Sequence, residues 1–142
     1  MALEDILLTN ASLVLRVASV ISFLFAAGHT VGGLKSWSPM GETDVLKSMR
    51  TVRFDVAGVN RSYLEFYQGF GFLLSVCVVM QAVLLWQLAN LAKTNREQTL
   101  PFIWTLFIAS IASGILTWKF LFPVPAYFSV VLTAFLGLAL VV

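Results

Sequence analysis

The sequence predicts an all-α integral membrane protein: a four-helix bundle with a long amphipathic connector between its first two helices. Three observations predict this class: 59% of the residues are hydrophobic, only 11% are charged, and four apolar segments reach the roughly 20 residues that a helix needs to cross hydrocarbon. A soluble domain carries about 25% charged residues, because water covers its surface. We therefore expect residues 1–142 to form a single transmembrane domain.

The boundaries of the four helices follow from local signals. The helices are predicted at about residues 6–31, 63–91, 101–122 and 125–142. Gly32 and Gly33 end the first helix, and a polar turn that begins at Lys93 ends the second. Pro101 suits the first turn of the third helix, where proline loses no backbone hydrogen bond. Pro123 then separates the third helix from the fourth.

The long connector, at about residues 35–61, is predicted to contain a short amphipathic helix. Thr43 and Asp44 make a plausible helix cap, and Lys47, Arg50 and Arg53 recur every three residues behind it. Such a helix suits the headgroup region of a bilayer. It is interpreted as a lid or a contact with lipid headgroups, or alternatively as an ordinary amphipathic connector.

The distribution of cations favours one orientation. Two cations, Lys93 and Arg96, lie between the second and third helices, whereas the first and third connections carry more. The latter are Lys35, Lys47, Arg50, Arg53, Arg61 and Lys119. Because cytoplasmic loops are enriched in Lys and Arg, the long connector is predicted to be cytoplasmic.

The first helix carries polar and small residues that need a reason at membrane depth. His29 is the only histidine and lies near the end of the helix. It is interpreted either as an acid–base or ligand-contacting group or as a hydrogen-bonded packing residue. Gly28 and Gly32 form a small-xxx-small pair that allows close helix approach. The third helix has a similar set, interpreted as packing residues: Ser110, Ser113, Gly114 and Thr117.

A second polar cluster opens the second helix. It comprises Asp55, Tyr63, Glu65, Tyr67 and Gln68. Ser62 and Glu65 also match a capping box, which alone could explain the glutamate. His29 and this cluster are expected at the same end of the bundle, because the connector joins the two helix ends. A carboxylate and an imidazole beside an apolar cavity could move a proton on an apolar substrate, or bind a lipid headgroup.

Several classes of site are not expected. One histidine and one cysteine give no convincing zinc site and exclude a paired-histidine haem site within one chain. No glycine-rich phosphate loop is present. The net charge of +2 is too small and too scattered to indicate nucleic acid. No metal and no cofactor are therefore predicted.

Two stretches carry a resemblance to known membrane proteins. The chain resembles a group of small bacterial four-helix membrane proteins in three segments. These are Phe25-Ala26-Ala27-Gly28-His29-Thr30-Val31-Gly32-Gly33, Phe54-Asp55-Val56 and Tyr63-Leu64-Glu65-Phe66-Tyr67-Gln68-Gly69-Phe70-Gly71. The layout is also similar to the DoxX-like and sterol-isomerase-like (EXPERA-type) families. The resemblance implies a multi-pass protein of the bacterial inner membrane. In the sterol-isomerase-like group, acidic residues and a histidine in a lipophilic cavity handle sterol-type ligands.

Three functions follow as expectations. The first is binding of a lipid-like or isoprenoid-like apolar molecule near the connector, with His29 and Glu65 as the chemically active residues. The ligand-binding residues would be Asp55, Tyr63, Tyr67 and Gln68. The second is an enzyme that moves a proton in an isomerisation at the same site. The third is a structural or assembly subunit that packs against partner helices, including those of a homo-oligomer.

Overall fold

The computed structural model describes residues 3–34, 38 and 40–142, with side chains from Asn10 onwards except that of Leu34. Lys35, which belongs to the predicted connector and to the charge count above, lies outside the described residues. The elements in chain order are α1 (Leu3–Leu34), α2 (Asp44–Thr51), β1 (Arg53–Val56), β2 (Val59–Ser62), α3 (Tyr63–Leu91), α4 (Arg96–Phe120) and α5 (Pro123–Val141).

The described chain is mostly helical, and four of its helices are long and apolar enough to cross a membrane. These candidate spans are Asn10–Gly33, Tyr63–Leu91, Arg96–Phe120 and Pro123–Val141. Helix formation satisfies every backbone polar group within the segment, which a spanning chain requires in hydrocarbon. Four such helices indicate a multi-pass membrane protein, and the predicted all-α class is confirmed at that level.

The helix bounds differ from the predicted ones. Helix α1 runs from Leu3 to Leu34, so Gly32 and Gly33 lie inside it and do not end it. Helix α4 begins at Arg96 because the side chain of Asn95 accepts a hydrogen bond of 3.1 Å from the backbone N–H of Gln98, an N-cap geometry. Pro101 therefore lies inside α4 rather than in its first turn. Helix α5 begins at Pro123 itself, which occupies the position where proline is best tolerated.

Contacts divide the chain into two compact units. The first unit comprises Met1–Phe25 and Met80–Val142, and the second comprises Ala26–Val79. In the first unit the largest fully buried apolar side chains are Leu15, Leu85, Ile103 and Leu136. Small residues such as Ala18 and Ala89 are also fully buried there, so neighbouring backbones approach closely.

Two polar side chains of α1 form hydrogen bonds within the first unit. Arg16 donates to the Asn90 side-chain oxygen at 3.0 Å, and its guanidinium carbon lies 4.9 Å from the centre of the Trp86 ring. Ser19 donates to the backbone oxygen of Ala82 at 2.6 Å. These partners explain how α1 carries Arg16 and Ser19 within an apolar segment.

The second unit contains the connector, and here the structure adds an element that the sequence analysis did not predict. Strands β1 and β2 form an antiparallel hairpin in which Arg53 pairs with Ser62 and Val56 pairs with Val59. Ala57 and Gly58 make the turn, with φ angles of 51° and 78°. Two positive φ angles are the requirement of a type I′ turn, the tight turn that suits the twist of a hairpin. The connector is thus part helix and part hairpin.

Candidate functional site

A shallow recess lies between α2 and the start of α3. Its volume is about 420 Å³, and it is lined by Asp44, Val45, Ser48, Met49, Val52 and Tyr63. We call it the connector recess. One wall is apolar, and Asp44 and Ser48 add a carboxylate and a hydroxyl. Tyr63 is the one residue of the predicted ligand-binding set that lines it.

Helix α2 forms where the sequence predicted a short capped helix. The hydroxyl of Thr43 accepts a hydrogen bond of 3.2 Å from the backbone N–H of Leu46, which confirms the cap. Leu46 is the buried residue of α2, at 4% exposure. Val45 is 69% exposed although it is apolar. The helix is therefore anchored on one side and leaves apolar surface uncovered on the recess side.

Exposed apolar side chains continue from α2 into the hairpin. Val52, Val56 and Val59 are 49%, 61% and 46% exposed, and Met40 before α2 is 83% exposed. Contiguous exposed apolar surface commonly marks a contact with a membrane or a ligand. In a segment between two spans, this surface fits the boundary between headgroups and acyl chains.

A hydrogen-bonded polar network joins the hairpin to the first turn of α3. One carboxylate oxygen of Glu65 accepts the backbone N–H of Ser62 at 2.7 Å, and the hydroxyl of Ser62 accepts the backbone N–H of Glu65 at 3.1 Å. This reciprocal pair confirms the predicted capping box. Arg53 reaches the same Glu65 oxygen at 3.4 Å. Glu65 thus holds β1 against the start of α3.

The network extends along the hairpin to Asp55. The Arg53 side chain donates to the side-chain oxygen of Asn60, and the amide nitrogen of Asn60 donates to Asp55 at 2.7 Å. The structure thereby links Asp55 and Glu65, two of the predicted site residues, through Asn60 and Arg53. Both carboxylates are hydrogen-bonded to neighbouring side chains or backbone. Their contacts in the structure hold the hairpin together and hold it against α3.

Four aromatic rings pack in sequence beside this network. Phe54 lies 4.9 Å from Tyr63 and 5.5 Å from Phe66, and Phe66 lies 4.9 Å from Phe70, measured between ring centres. Edge-on pairs at these distances are favourable beyond the area that they bury. Tyr63, Phe66 and Phe70 nevertheless remain 50–59% exposed. They form an aromatic stripe that begins at the recess and continues along α3.

His29, on α1, contacts α3 away from this network. Its Nδ1 is 2.9 Å from the hydroxyl of Ser75, which is also 3.4 Å from the backbone oxygen of Gly71. A Cβ atom at Gly71 would lie 3.9 Å from the His29 ring, an ordinary van der Waals distance, so the imidazole packs close to this turn of α3. This contact corresponds to the packing interpretation of His29.

The structure therefore separates the two residues expected to do chemistry. Ser75, the partner of His29, follows Glu65 by ten residues, about 15 Å along a helix axis. Tyr67 and Gln68 lie between these levels. Tyr67 is 39% exposed, and Gln68 is half-buried. Among the described residues, no group of three or more His, Cys, Asp or Glu side chains could hold a metal ion.

The sequence analysis missed two features of this region. It did not assign Phe54 to the site, and it did not join Arg53 to Asn60. The turn could have indicated the pairing of the strands. Asp55 lies two residues before Ala57 and Asn60 two residues after Gly58, so a two-residue turn makes them cross-strand partners.

Comparison of the chain with models of protein families, with curated proteins and with solved structures finds no match.

Proposed function

We propose that this protein is a multi-pass membrane protein, built as a four-helix bundle, that binds a lipid-like amphiphile at the connector recess. The observation that carries the proposal is a recess with an apolar wall and a polar edge, in a segment joining two candidate spans. An amphiphile matches both surfaces at once. The proposal includes a cytoplasmic connector, which the cation count favours.

The apolar wall supplies the affinity. Val45 and Val52 are largely exposed, and Met49 is half-buried. Burying an apolar side chain of this size contributes on the order of 1.5–3 kcal/mol. A methionine also adapts to different ligand shapes because its side chain is unbranched. Tyr63 adds an amphipathic ring of the type that is enriched where headgroups meet acyl chains.

The charges around the recess indicate which headgroup it would take. Between Glu42 and Glu65 the sequence has four acidic and four basic residues, so this segment carries no net charge. A cluster of cations would attract anionic lipids by about 1 kcal/mol per Lys or Arg, and here the carboxylates offset it. Asp44 offers the recess a carboxylate. We infer that the ligand has a zwitterionic or hydroxyl-bearing head.

The remaining predicted site residues have positioning roles in this proposal. Asp55 and Glu65 hold the hairpin on α3 and so keep the Tyr63 side of the recess in place. Tyr67 and Gln68 follow Tyr63 within the next two turns of α3, where a long apolar tail would extend. His29 orients α1 against α3 through Ser75.

Photocrosslinking tests the proposal directly. Vesicles containing the protein would include a phosphatidylcholine with a photoreactive group in its acyl chain. In Ser48→Trp the indole fills the recess, and we expect crosslinking to peptides of α2 and early α3 to fall at least five-fold. Thr51→Trp is the matched control, since Thr51 is exposed on the same helix but does not line the recess. Equal crosslinking in the two variants would refute the proposal.

A specific observation favours a second candidate, assembly through α1. Apart from the neighbouring backbone of α1 itself, no atom of the described residues lies within 4 Å of where a side chain would begin at Gly28 or Gly32. Both glycines are exposed, so this pair is open to a partner helix, including that of a second copy. Gly114 differs, because a side chain there would meet Ser129 of the same chain at 3.5 Å. Under this candidate, Gly28→Leu and Gly32→Leu lower the oligomeric state in detergent.

Proton-transfer catalysis, the remaining alternative, has less support. His29 contacts Ser75, whereas Glu65 binds Ser62 and Arg53 at the start of α3. The described contacts provide no proton relay between His29 and Glu65. Conversion of an apolar substrate with a pH dependence that disappears in His29→Gln would restore this alternative.

A further inference from the structure

A second apolar site lies in the first unit, on one side of the α4–α5 hairpin. The groove between these helices has a volume of about 810 Å³. Ser110, Gly114 and Ser129 form its floor, Ile115 and Val130 form its walls, and Lys119 lies at one end. We call it the α4–α5 groove. It shares no residue with the connector recess.

The floor of the groove offers no free polar group to a ligand. The hydroxyl of Ser110 lies 2.8 Å from both the backbone oxygen of Phe107 and the hydroxyl of Thr133. Thr133 donates to the backbone oxygen of Ser129 at 2.7 Å, and Ser129 donates to that of Pro125 at 3.0 Å. Because these hydroxyls are already hydrogen-bonded, the groove presents an apolar surface that suits a hydrocarbon chain.

The length of the groove matches one leaflet of a bilayer. Nine residues separate Ser110 from Lys119, which corresponds to about 13 Å along a helix. Half of the hydrocarbon core is about 15 Å thick. Lys119 is followed by the end of α4 at Phe120, where headgroups would lie. The groove thus runs from the interface to about the middle of the hydrocarbon.

The charge at the open end indicates the headgroup. Within the described part of the chain Lys119 forms no ion pair, and its ammonium lies 5.2 Å from the centre of the Phe120 ring. Trp118 beside it is 74% exposed, as expected of a ring at the interface. An unpaired lysine at this level is available to a phosphate.

We propose that the α4–α5 groove binds one acyl chain of an anionic phospholipid whose phosphate contacts Lys119. The chain lies along Gly114 and Ser129, where the small floor residues leave space, and Ile115 and Val130 flank it. The site requires only α4 and α5, so it remains whether or not the connector recess binds a ligand.

Native mass spectrometry of the full chain tests this site. The protein would be extracted from vesicles that contain equal amounts of phosphatidylglycerol and phosphatidylcholine, and the retained lipid counted. We expect Ile115→Trp, which fills the groove, to lower phosphatidylglycerol retention at least five-fold. Leu116→Trp is the control, because Leu116 is similarly exposed (57% against 64% for Ile115) and does not line the groove.

A second pair of variants separates the headgroup from the chain. Lys119→Gln should reduce the preference for phosphatidylglycerol over phosphatidylcholine about five-fold, which corresponds to ~1 kcal/mol. Lys93→Gln, in the turn between α3 and α4, should leave the preference unchanged. The proposal is wrong if Ile115→Trp retains lipid like Leu116→Trp, or changes the oligomeric state at unchanged lipid retention. It is also wrong if Lys119→Gln keeps the full preference.

Discussion

The connector recess and the α4–α5 groove are both apolar surfaces of one small chain, yet they are built differently. The recess has a carboxylate and a hydroxyl at its edge, and its segment has equal numbers of acidic and basic residues. The groove has a floor of small residues whose hydroxyls are hydrogen-bonded within the chain, and a lysine that forms no ion pair with any described residue. Apolar lining side chains are common to the two sites. The charged residues at their edges distinguish them, and we expect them to select different headgroups.

The largest effect should come from removing the anchor of the recess. Leu46→Ala deletes the buried side chain that holds α2, and such a change costs about 2–5 kcal/mol in a packed core. We expect faster amide exchange over Asp44–Thr51 and loss of crosslinking at the recess. Retention of phosphatidylglycerol by the groove should not change. Val45→Ala is the control, since Val45 is 69% exposed; equal exchange in both variants would contradict the anchoring role of Leu46.

The headgroup preference of the recess should change when one carboxylate is neutralised. Asp44→Asn gives the connector a net positive charge, and each uncompensated cation near an anionic surface contributes about 1 kcal/mol. We expect recess crosslinking to a photoreactive phosphatidylglycerol to rise about five-fold relative to phosphatidylcholine. Glu97→Gln, at the start of α4, changes the total charge equally and serves as the control. An identical rise in both variants would show that only total charge matters.

Breaking the tie between the hairpin and α3 should have a smaller effect. Arg53→Ala removes the ion pair with Glu65 and the bond to Asn60. Exposed ion pairs contribute about 0.2–1 kcal/mol, so unfolding of the hairpin should become detectable by amide exchange at β1 and β2. Arg61→Ala is the comparison, because among the described residues the Arg61 side chain donates one hydrogen bond, to the backbone oxygen of Asn60. Equal exchange in the two variants would argue against the network as a tie.

The smallest effect concerns the turn. Ala57 has a positive φ angle, which costs an ordinary residue about 1–2 kcal/mol and is tolerated better by asparagine. Ala57→Asn also creates the Asn-Gly pair that type I′ turns prefer. We expect slower amide exchange in the hairpin, corresponding to a few tenths of a kcal/mol in its free energy of opening. Lipid retention by the groove should not change. Faster exchange would show that the turn is of another type.

The spans were predictable because hydropathy and length suffice to find them. The capping box of Ser62 and Glu65 was predictable too, since it depends on a local spacing of three residues. The partner of His29 was not, because pairing it with Ser75 requires the rotation of α1 against α3, which no local pattern specifies. The sequence predicted only some of the residues that line the α4–α5 groove. Ser110 and Gly114 face α5 in the structure, whereas Ser113, from the same predicted set, is exposed.

The hairpin was missed for a different reason. Each strand has only four residues, and both contain charged or polar side chains, so the alternation that marks a half-buried strand is weak. The hairpin is stabilised by contacts between β1 and the start of α3: Phe54 with Tyr63 and Phe66, and Arg53 with Glu65. Such contacts become apparent only once the hairpin is placed against α3.

Only Leu121 and Phe122 separate α4 from α5. Two spans without a polar loop between them leave no segment that could rest in the aqueous phase while one helix waits for the other. We therefore expect the pair to enter the bilayer together during biogenesis, as a helical hairpin already closed at its turn. The groove between them would consequently meet its first lipid at the moment of insertion.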